Sequence, residues 1–576
     1  MKKLLFLFIF VFACSEQSKE DFDFTIVFEQ SNGTETSTYE QTIQFFKNLA
    51  KVYPEIAIDS IGKTDSGKPL HYVILGSDSE NLTTENSKNK TRVLINNGIH
   101  PGESDGIDAT MMLFRDYVDG KLSLPKDVVL ITIPIYNIGG SLNRNSTSRT
   151  NQNGPKSYGF RGNARNYDLN RDFIKSDTEN AKTFAQLFHL VNPDIFIDNH
   201  VSNGADYQYT LTHLLTQHNK LGGELGQYLH NNFMSDLESK LQQKEWDITP
   251  YVNVFNRPPD GGFSQFLDSP RYSTGYTTLF NTLGMMVETH MLKPYKQRVD
   301  GTYAFMKTVV EIAESEGDKI KTLREKQQSQ WQVGDKYPLS WEIDTTKFST
   351  LKFKGYDVDT ITSQVTGLPR LRYNRSKPVE TDIAYQDFYK PKTEVTIPKA
   401  YIIPQGQHEI IDLLKLNNIE FKTLEKDTIL TVESYKIDSF ETRKNPYEGH
   451  YLHYNTTVKR ETKQLQFKAG DILVETSQTG MRYLLETLEP SAPDSFFNWN
   501  FFDTILQQKE GFSPYVWEDK AAMFLKTHPN IQIKFNIKKS YDTEFANNWY
   551  AQLDWIHKQS ENYEKAHLQY PVYRLN

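Results

Sequence analysis

Short, almost entirely apolar runs alternate with longer amphipathic segments between the N-terminus and Gln330. Continuous apolar runs predict strands buried on both faces at 92–95, 127–135, 194–198 and 283–288. Apolar residues at helical spacing predict the intervening helices, at 39–52, 105–117, 178–191, 216–243 and 299–330. This alternation predicts an α/β fold, with a mostly parallel mixed sheet flanked by helices.

The pattern changes near residue 331. Residues 337–400 are rich in Thr, Val, Tyr and Lys between turn residues, which predicts β structure, and the remaining chain is mixed. We expect a catalytic domain followed by a β-rich and then an α+β region of unknown role. The predicted divisions are a signal with a modification site (1–14), a tether (15–34), the catalytic domain (35–332), a β-rich domain (333–400) and an α+β region (401–576).

The N-terminus has the pattern of an export signal. Two lysines precede ten apolar residues, too few to span a bilayer stably. The segment ending at Cys14 resembles the lipobox of bacterial lipoproteins, in which the cysteine is lipidated. An ordinary cleaved signal is the alternative. We therefore expect export and a lipid anchor at Cys14 in the bacterial cell envelope, on the periplasmic or surface face of the outer membrane, with no other membrane contact.

Composition narrows the chemistry further. The 576 residues carry a net charge of −8, which argues against a nucleic-acid partner. We expect the protein to be a monomer. Mean hydropathy is −0.61, which excludes a polytopic membrane protein. Cys14 is the only cysteine, so disulfides within the chain and thiolate zinc sites are excluded. Any metal must be held by His, Asp or Glu.

Candidate metal ligands stand at the carboxyl ends of the predicted strands, where functional groups gather in open α/β sheets. His100 and Glu103 follow the first buried strand, and His200 follows the third. An H-x-x-E pair alone arises often by chance, but a second His makes a three-ligand zinc site with the fourth position open to water. Glu288 ends another apolar strand, where a carboxylate needs a partner or a function, such as general base.

A polar turn at 168–171 adds further candidates. Asp168 could accept the distal ring N–H of a ligating histidine and fix its tautomer. Asn170 and Arg171 offer an amide and a guanidinium for a carboxylate, although a charged surface turn is the alternative.

Five segments, taken in order, resemble the M14 zinc carboxypeptidases of the carboxypeptidase A/B type. They are SIGKTDSGKPL (60–70), GIHPGE (98–103), DLNRDF (168–173), DIFIDNH (194–200) and GMMVETH (284–290). The resemblance covers about residues 35–320. It implies one Zn²⁺ per chain held by His100, Glu103 and His200, Glu288 as the base that activates water, and Asp168 supporting His100. It also implies that Asn170 and Arg171 hold the terminal carboxylate of a peptide substrate.

Two roles implied by the resemblance are harder to place. An arginine that stabilises the oxyanion matches Arg149 best, with Arg144 and Arg165 as alternatives in the same loop. A tyrosine that covers the substrate matches Tyr272 or Tyr276, and Tyr276 is preferred because Gly275 beside it could act as a hinge.

Three other functions compete with this interpretation. The segment 102–106 reads G-x-S-x-G between a strand and a helix, which is typical of a serine hydrolase with Ser104 as nucleophile. A related zinc deacylase or amidase would act on N-acyl amino acids or peptidoglycan peptides. A surface-binding lipoprotein without turnover is the third.

Overall fold

A computed structural model of the chain describes residues 22–76, 82 and 85–576, and Cys14 with the predicted signal lies outside them. Its strands in chain order are β1 (Ile56–Ile61), β2 (Leu70–Leu75), β3 (Thr91–Asn96), β4 (Val128–Ile133), β5 (Ile195–Ser202), β6 (Leu211–Leu215), β7 (Ile248–Pro250), β8 (Phe263–Ser264), β9 (Leu283–His290), β10 (Lys336–Ile343), β11 (Ser349–Thr362), β12 (Pro369–Gln386), β13 (Tyr389–Thr396), β14 (Ala400–Ile403), β15 (Lys422–Thr423), β16 (Thr428–Thr442), β17 (His453–Phe467), β18 (Ile472–Glu475) and β19 (Gln569–Leu575).

The α-helices alternate with these strands in the first half of the chain and cluster near its end. They are α1 (Val27–Gln30), α2 (Tyr39–Val52), α3 (Glu85–Asn89), α4 (Asp105–Val118), α5 (Ile138–Leu142), α6 (Glu179–Val191), α7 (His218–Leu221), α8 (Gly223–Tyr228), α9 (Met234–Gln243), α10 (Ser273–Thr278), α11 (Tyr295–Gln328), α12 (His408–Leu416), α13 (Met481–Leu488), α14 (Pro514–Thr527), α15 (Pro529–Tyr541), α16 (Thr543–Ala546) and α17 (Trp549–His557). Within the described residues, none of these helices has the length and apolar character needed to cross a membrane.

A mixed eight-stranded sheet organises the first part of the chain, in the order β1-β2-β4-β3-β5-β9-β6-β7. The four central strands β4, β3, β5 and β9 are parallel to one another. The strands β2 and β6 join them antiparallel on either side. The predicted α/β fold, with a mostly parallel mixed sheet between helices, is confirmed.

Both faces of the central strands are covered, which explains their continuous apolar sequence. Val93 and Ile95 of β3 pack into the same core as residues of α4 and α11. On β5, Phe196 contacts Phe184 of α6, with ring centroids 5.9 Å apart. Every residue of β3 is consequently buried.

The long helix predicted at 216–243 is broken. Gly222 and Gly223 both have positive φ angles, 78° and 57°, so the chain leaves α7 and starts again in α8. A π-helical turn at Leu229–Phe233 then joins α8 to α9. The final helix of this region begins at Tyr295, directly after Pro294 and earlier than the predicted start at Val299.

The β-rich segment after residue 333 does not form a separate unit, which differs from the predicted boundary. Two antiparallel pairs, β10–β13 and the long hairpin β11–β12, make up this segment, and β12 also pairs with β8. Phe353 and Tyr385 of the hairpin share a small apolar core with Tyr207, Val252 and Phe263. The hairpin is therefore packed onto segments that precede β9 in the chain.

Two segments from later in the chain complete this first compact unit, which contains residues up to Ile397, 409–420 and 477–486. Arg482 of α13 is buried and donates to the Lys220 carbonyl at 2.7 Å and to the Asn281 side chain at 3.2 Å. Asn417, just after α12, accepts a hydrogen bond from Tyr276 at 2.6 Å. These contacts replace water with fixed partners for buried polar groups.

The second compact unit contains Pro398–His408, Phe421–Thr476 and Thr487–Asn576. A six-stranded sheet in the order β15-β18-β14-β19-β16-β17 forms one part of it. The helices α14 to α17 form another, around a core that includes Trp517, Phe535 and Phe545. The α+β character predicted for this region agrees with these elements.

A buried ion pair links α11 to the start of α4. Arg298 is fully buried, and its Nε lies 2.9 Å from Oδ2 of Asp105. Its other nitrogens donate to the carbonyls of Asn153, Gly154 and Lys293, at 2.9–3.0 Å. One guanidinium therefore joins α4, the loop at 153–154 and the chain that leaves β9.

We predict that Arg298→Met lowers the free energy of unfolding by about 3–5 kcal/mol, because Asp105 would be left buried without its cation. Denaturant unfolding of the variant and the native chain measures the difference. Lys296→Met is the matched control, since Lys296 forms an exposed pair with Asp300 and its loss should cost less than about 1 kcal/mol. Equal changes in the two variants would contradict the structural role of Arg298.

Candidate metal centre and active site

A tight turn after β3 brings two candidate ligands to the edge of the sheet. The Glu103 N–H donates to the His100 carbonyl at 2.8 Å, which closes the turn. Gly102 is required there, because a Cβ at this position would lie 2.4 Å from Cδ of Arg149. The side chains of His100 and Glu103 are almost fully buried, with 3% and 4% exposed.

His200 on β5 completes a cluster of three potential ligands with His100 and Glu103. Nδ1 of His100 lies 3.2 Å from one Glu103 oxygen, and Nδ1 of His200 lies 3.1 Å from the other. One ligating atom from each residue falls within 4.8 Å of the others. Burial would raise the pKa of Glu103, but Arg149 and His100 hold this pKa well below its ordinary value.

A carboxylate also stands behind each histidine. Nε2 of His100 is 2.9 Å from Asp168, and Nε2 of His200 is 2.9 Å from Asp198. Burial alone would raise the pKa of Asp168, but His100 and Arg161 lower this pKa and keep the carboxylate charged. A charged acceptor keeps the proton on Nε2 and leaves the Nδ1 lone pair free for a metal. The sequence predicted this role for Asp168, and the structure adds Asp198.

The donor set fits zinc. Two ligands that each lie 2.0–2.1 Å from a tetrahedral ion are about 3.3 Å apart, close to the two nitrogen–oxygen distances measured here. Two neutral imidazoles and a carboxylate leave a fourth position for water. Among the described residues, this is the one group of His, Cys, Asp and Glu side chains with metal-ligand spacing.

Glu288 lies beside this cluster. It is on β9, directly opposite His200 on β5, and it lines the same cavity of about 340 Å³. Its side chain is partly exposed to that cavity. Burial raises the pKa of Glu288 to about 7, with Glu103 and Asp198 adding to the effect and His200 opposing it. A carboxylate with such a pKa can accept a proton near neutral pH and return it.

Asn170 and Arg171 also line the cavity, on a 3₁₀ turn that Asp168 caps. The Asn170 side-chain oxygen accepts from the Ser273 N–H at 3.1 Å, which fixes the orientation of its amide group. The Arg171 guanidinium lies over the Tyr272 ring, 4.5 Å from its centroid, and Tyr272 is itself part of the cavity wall. The structure therefore brings the predicted carboxylate-binding residues to the predicted metal site.

The structure corrects the choice of arginine. Arg149 donates to Glu103 at 2.8 Å and to Gln152, and it does not line the cavity. Arg144 donates to three backbone carbonyls, and Arg165 to the Asp177 carbonyl. Arg161, which no sequence pattern had singled out, lines the cavity with a half-exposed side chain.

Arg161 is held in this position by acidic partners. Its Nε donates to Asp168 at 2.9 Å, and its NH1 lies 3.6 Å from Glu103. It is therefore the arginine of this loop that both lies next to the ligands and faces open space.

The structure also corrects the choice of tyrosine. Tyr276 is on α10, is fully buried and donates to Asn417, so it cannot cover a substrate. Tyr272 and the unexpected Tyr251 line the cavity instead. Burial raises the pKa of Tyr251, and the negative charge of Glu288 adds to this effect. Tyr251 directly follows β7, so its position at the end of a strand is the signal that could have identified it.

Ser104 is not placed as a nucleophile. Its hydroxyl is buried and lies 3.1 Å from the Tyr295 hydroxyl, and no histidine contacts it among the described residues. The glycine at the end of the G-x-S-x-G segment has a packing role. A Cβ on Gly106 would lie 2.4 Å from Cβ of Asn199, so glycine lets α4 approach β5.

Comparison with known proteins finds a family model that matches part of the chain. Residues 42–193 match the sequence model of Peptidase M14, described as zinc carboxypeptidase. This stretch of the chain is similar to the M14 zinc carboxypeptidases, as the sequence segments predicted. The matched range includes His100, Glu103, Asp168, Asn170 and Arg171.

Curated relatives match a larger part of the chain. Carboxypeptidase 2 of Trichophyton rubrum is 22% identical over 502 residues, covering 81% of this chain and 84% of the relative. Carboxypeptidase 2 of Trichophyton equinum is 21% identical over 501 residues, with the same coverage. The matched family model and these relatives together support a peptidase of the metallocarboxypeptidase type.

Solved carboxypeptidase structures align with about half of the chain. A putative carboxypeptidase A from Shewanella denitrificans is 17% identical with a TM-score of 0.36, covering 49% of this chain and 69% of its own. Carboxypeptidase A from Helicoverpa armigera is 13% identical with a TM-score of 0.37, covering 49% and 74%.

Proposed function

We propose that the protein is a zinc-dependent carboxypeptidase that hydrolyses the C-terminal peptide bond of peptides. The convergence of His100, Glu103 and His200 in the same cavity as Glu288 and Arg171 supports this proposal. The two histidines and Glu103 suit a hydrolytic metal, and Arg171 suits a free carboxylate.

Each residue then has a defined task. His100, Glu103 and His200 would hold Zn²⁺, which acts as a Lewis acid and makes water a nucleophile near neutral pH. Glu288 accepts the proton of the attacking water and delivers it to the leaving amine. Arg161 donates to the oxygen that becomes negative as the carbonyl is attacked. Asn170 and Arg171 bind the terminal carboxylate and so position the last peptide bond.

We predict that Glu288→Gln retains zinc but lowers kcat by about 10²–10⁴-fold, because glutamine cannot accept the proton. Metal analysis gives zinc per chain, and release of the last amino acid from a peptide library gives activity, with and without a chelator. The native chain should hold one zinc and lose activity with chelator. Near-native kcat in the variant would contradict the role of Glu288. Absence of zinc from the native chain would contradict the metal site.

We predict that Arg171→Ala lowers kcat/KM by roughly 100-fold or more for peptides with a free C-terminus, through loss of a charge-assisted pair. The same peptides with an amidated C-terminus should be cleaved equally slowly by both enzymes, because they lack the carboxylate. Arg165→Ala is a matched control, since Arg165 is close in the chain but donates to a backbone carbonyl and lies 3.9 Å from Asp65. Equal losses on free and amidated peptides would contradict exopeptidase action.

We also propose, from the sequence alone, that the protein is exported and lipid-anchored through Cys14. The charged and apolar residues before this single cysteine support the proposal. Metabolic labelling with a fatty-acid analogue should modify the full chain and should not modify Cys14→Ser. Labelling of both proteins, or of neither, would contradict a lipid anchor at this residue.

A further inference from the structure

A second cavity, of about 450 Å³, lies beside the β11–β12 hairpin. Gly204 and Asn256 form one wall, and Arg370 and Tyr373 of β12 form the other. The catalytic mechanism uses none of these residues. The hairpin belongs to the segment after residue 333, for which the sequence suggested no role.

The second cavity lies near the active-site cavity. Asn203 lines the active-site cavity and Gly204 lines the second one. Likewise, Phe255 lines the active-site cavity and Asn256 lines the second one. At both places a single peptide bond separates a residue that lines one cavity from a residue that lines the other, so the two cavities are close in space. From His200 to Gly204 the chain spans at most about 14 Å, and an extended peptide covers that distance in about four residues.

Packing holds the hairpin in this position. Phe353 and Tyr385 lie in the small core shared with Tyr207 and Val252. The Tyr373 hydroxyl donates to the Arg257 carbonyl at 3.1 Å, and the Gln208 side chain donates to the Gly355 carbonyl at 2.7 Å. The wall formed by β12 is therefore fixed relative to the loops that leave the active site.

The charges on β12 distinguish one residue. Arg372, Arg375 and Lys377 each have an acidic partner, at 2.8, 2.7 and 3.3 Å. Arg370 has no ion pair with any residue that the structure describes, and Ile361 stands opposite it in the hairpin. Every residue of β12 is described, and Arg370 is the one basic residue of this strand that lacks an acidic partner. This residue lines the second cavity.

We propose that the second cavity is a substrate subsite that binds an acidic side chain about four residues upstream of the cleaved bond, with Arg370 as its cation. This inference rests on the proposed carboxypeptidase function and adds a preference at a distance from the C-terminus. Because Arg370 is exposed, its pairing with a carboxylate is worth a modest factor, about two- to five-fold in kcat/KM.

Heptapeptides that differ at one position test the subsite. They share their last residues and carry Glu, Gln or Lys three, four or five residues upstream of the cleaved bond. The native enzyme should cleave the Glu peptide about two- to five-fold more efficiently than the Gln peptide at one of these positions. This ratio should fall when salt is raised to about 0.5 M, since exposed charges are screened. Arg370→Gln should abolish it, and Arg370→Glu should favour Lys.

Two controls separate the subsite from other effects. Arg372→Gln lies on the same strand but outside the cavity, and it should keep the native preference. A blocked dipeptide cannot reach the subsite, so all variants should cleave it at the native rate. A native enzyme that cleaves all heptapeptides equally, or an Arg370→Gln variant that retains the preference, would overturn the subsite alone. A native enzyme that releases no C-terminal residue from any peptide would overturn the proposed function itself.

Discussion

The buried pair between Arg298 and Asp105 connects the parts of the chain that form the active site. Asp105 begins α4 shortly after the ligand Glu103, and Arg298 also binds carbonyls of the loop that contains Arg149. Thr289, next to Glu288, donates to the same aspartate at 2.5 Å. A displacement of this guanidinium would move a ligand turn, a loop and the strand end that carries the base, because all three bond to it or to its partner.

The fixed charges around the two histidines are mostly negative. Three carboxylates, Glu103, Asp168 and Asp198, lie within hydrogen-bonding distance of two imidazoles. Arg149 and Arg161 offset part of this negative charge. The site therefore favours a dication and keeps both rings in the tautomer that a metal requires. Burial, with a smaller effect of Glu103 and Asp198, raises the pKa of Glu288 above that of an exposed glutamate.

The sequence was most informative where the backbone is regular. Apolar runs identified β3, β5 and β9, and the rule that functional groups follow such strands identified His100, His200 and Glu288. It was least informative in the loop at 139–166, whose four arginines follow no hydrophobic period that would show which one faces the cavity. Tyr276 was misplaced for a related reason, since the partner of its hydroxyl, Asn417 beside α12, comes much later in the chain.

The late segments that complete the first unit have a consequence for how the chain folds. Residues 409–420 and 477–486 supply partners for Tyr276 and for the carbonyl of Lys220. During synthesis, the first unit therefore cannot reach its final packing until residue 486 has been made, after the first two segments of the second unit. Contacts between residues so distant in the chain require costly loop closure, which slows folding. The two units are thus coupled in the order of their assembly, although each has its own core.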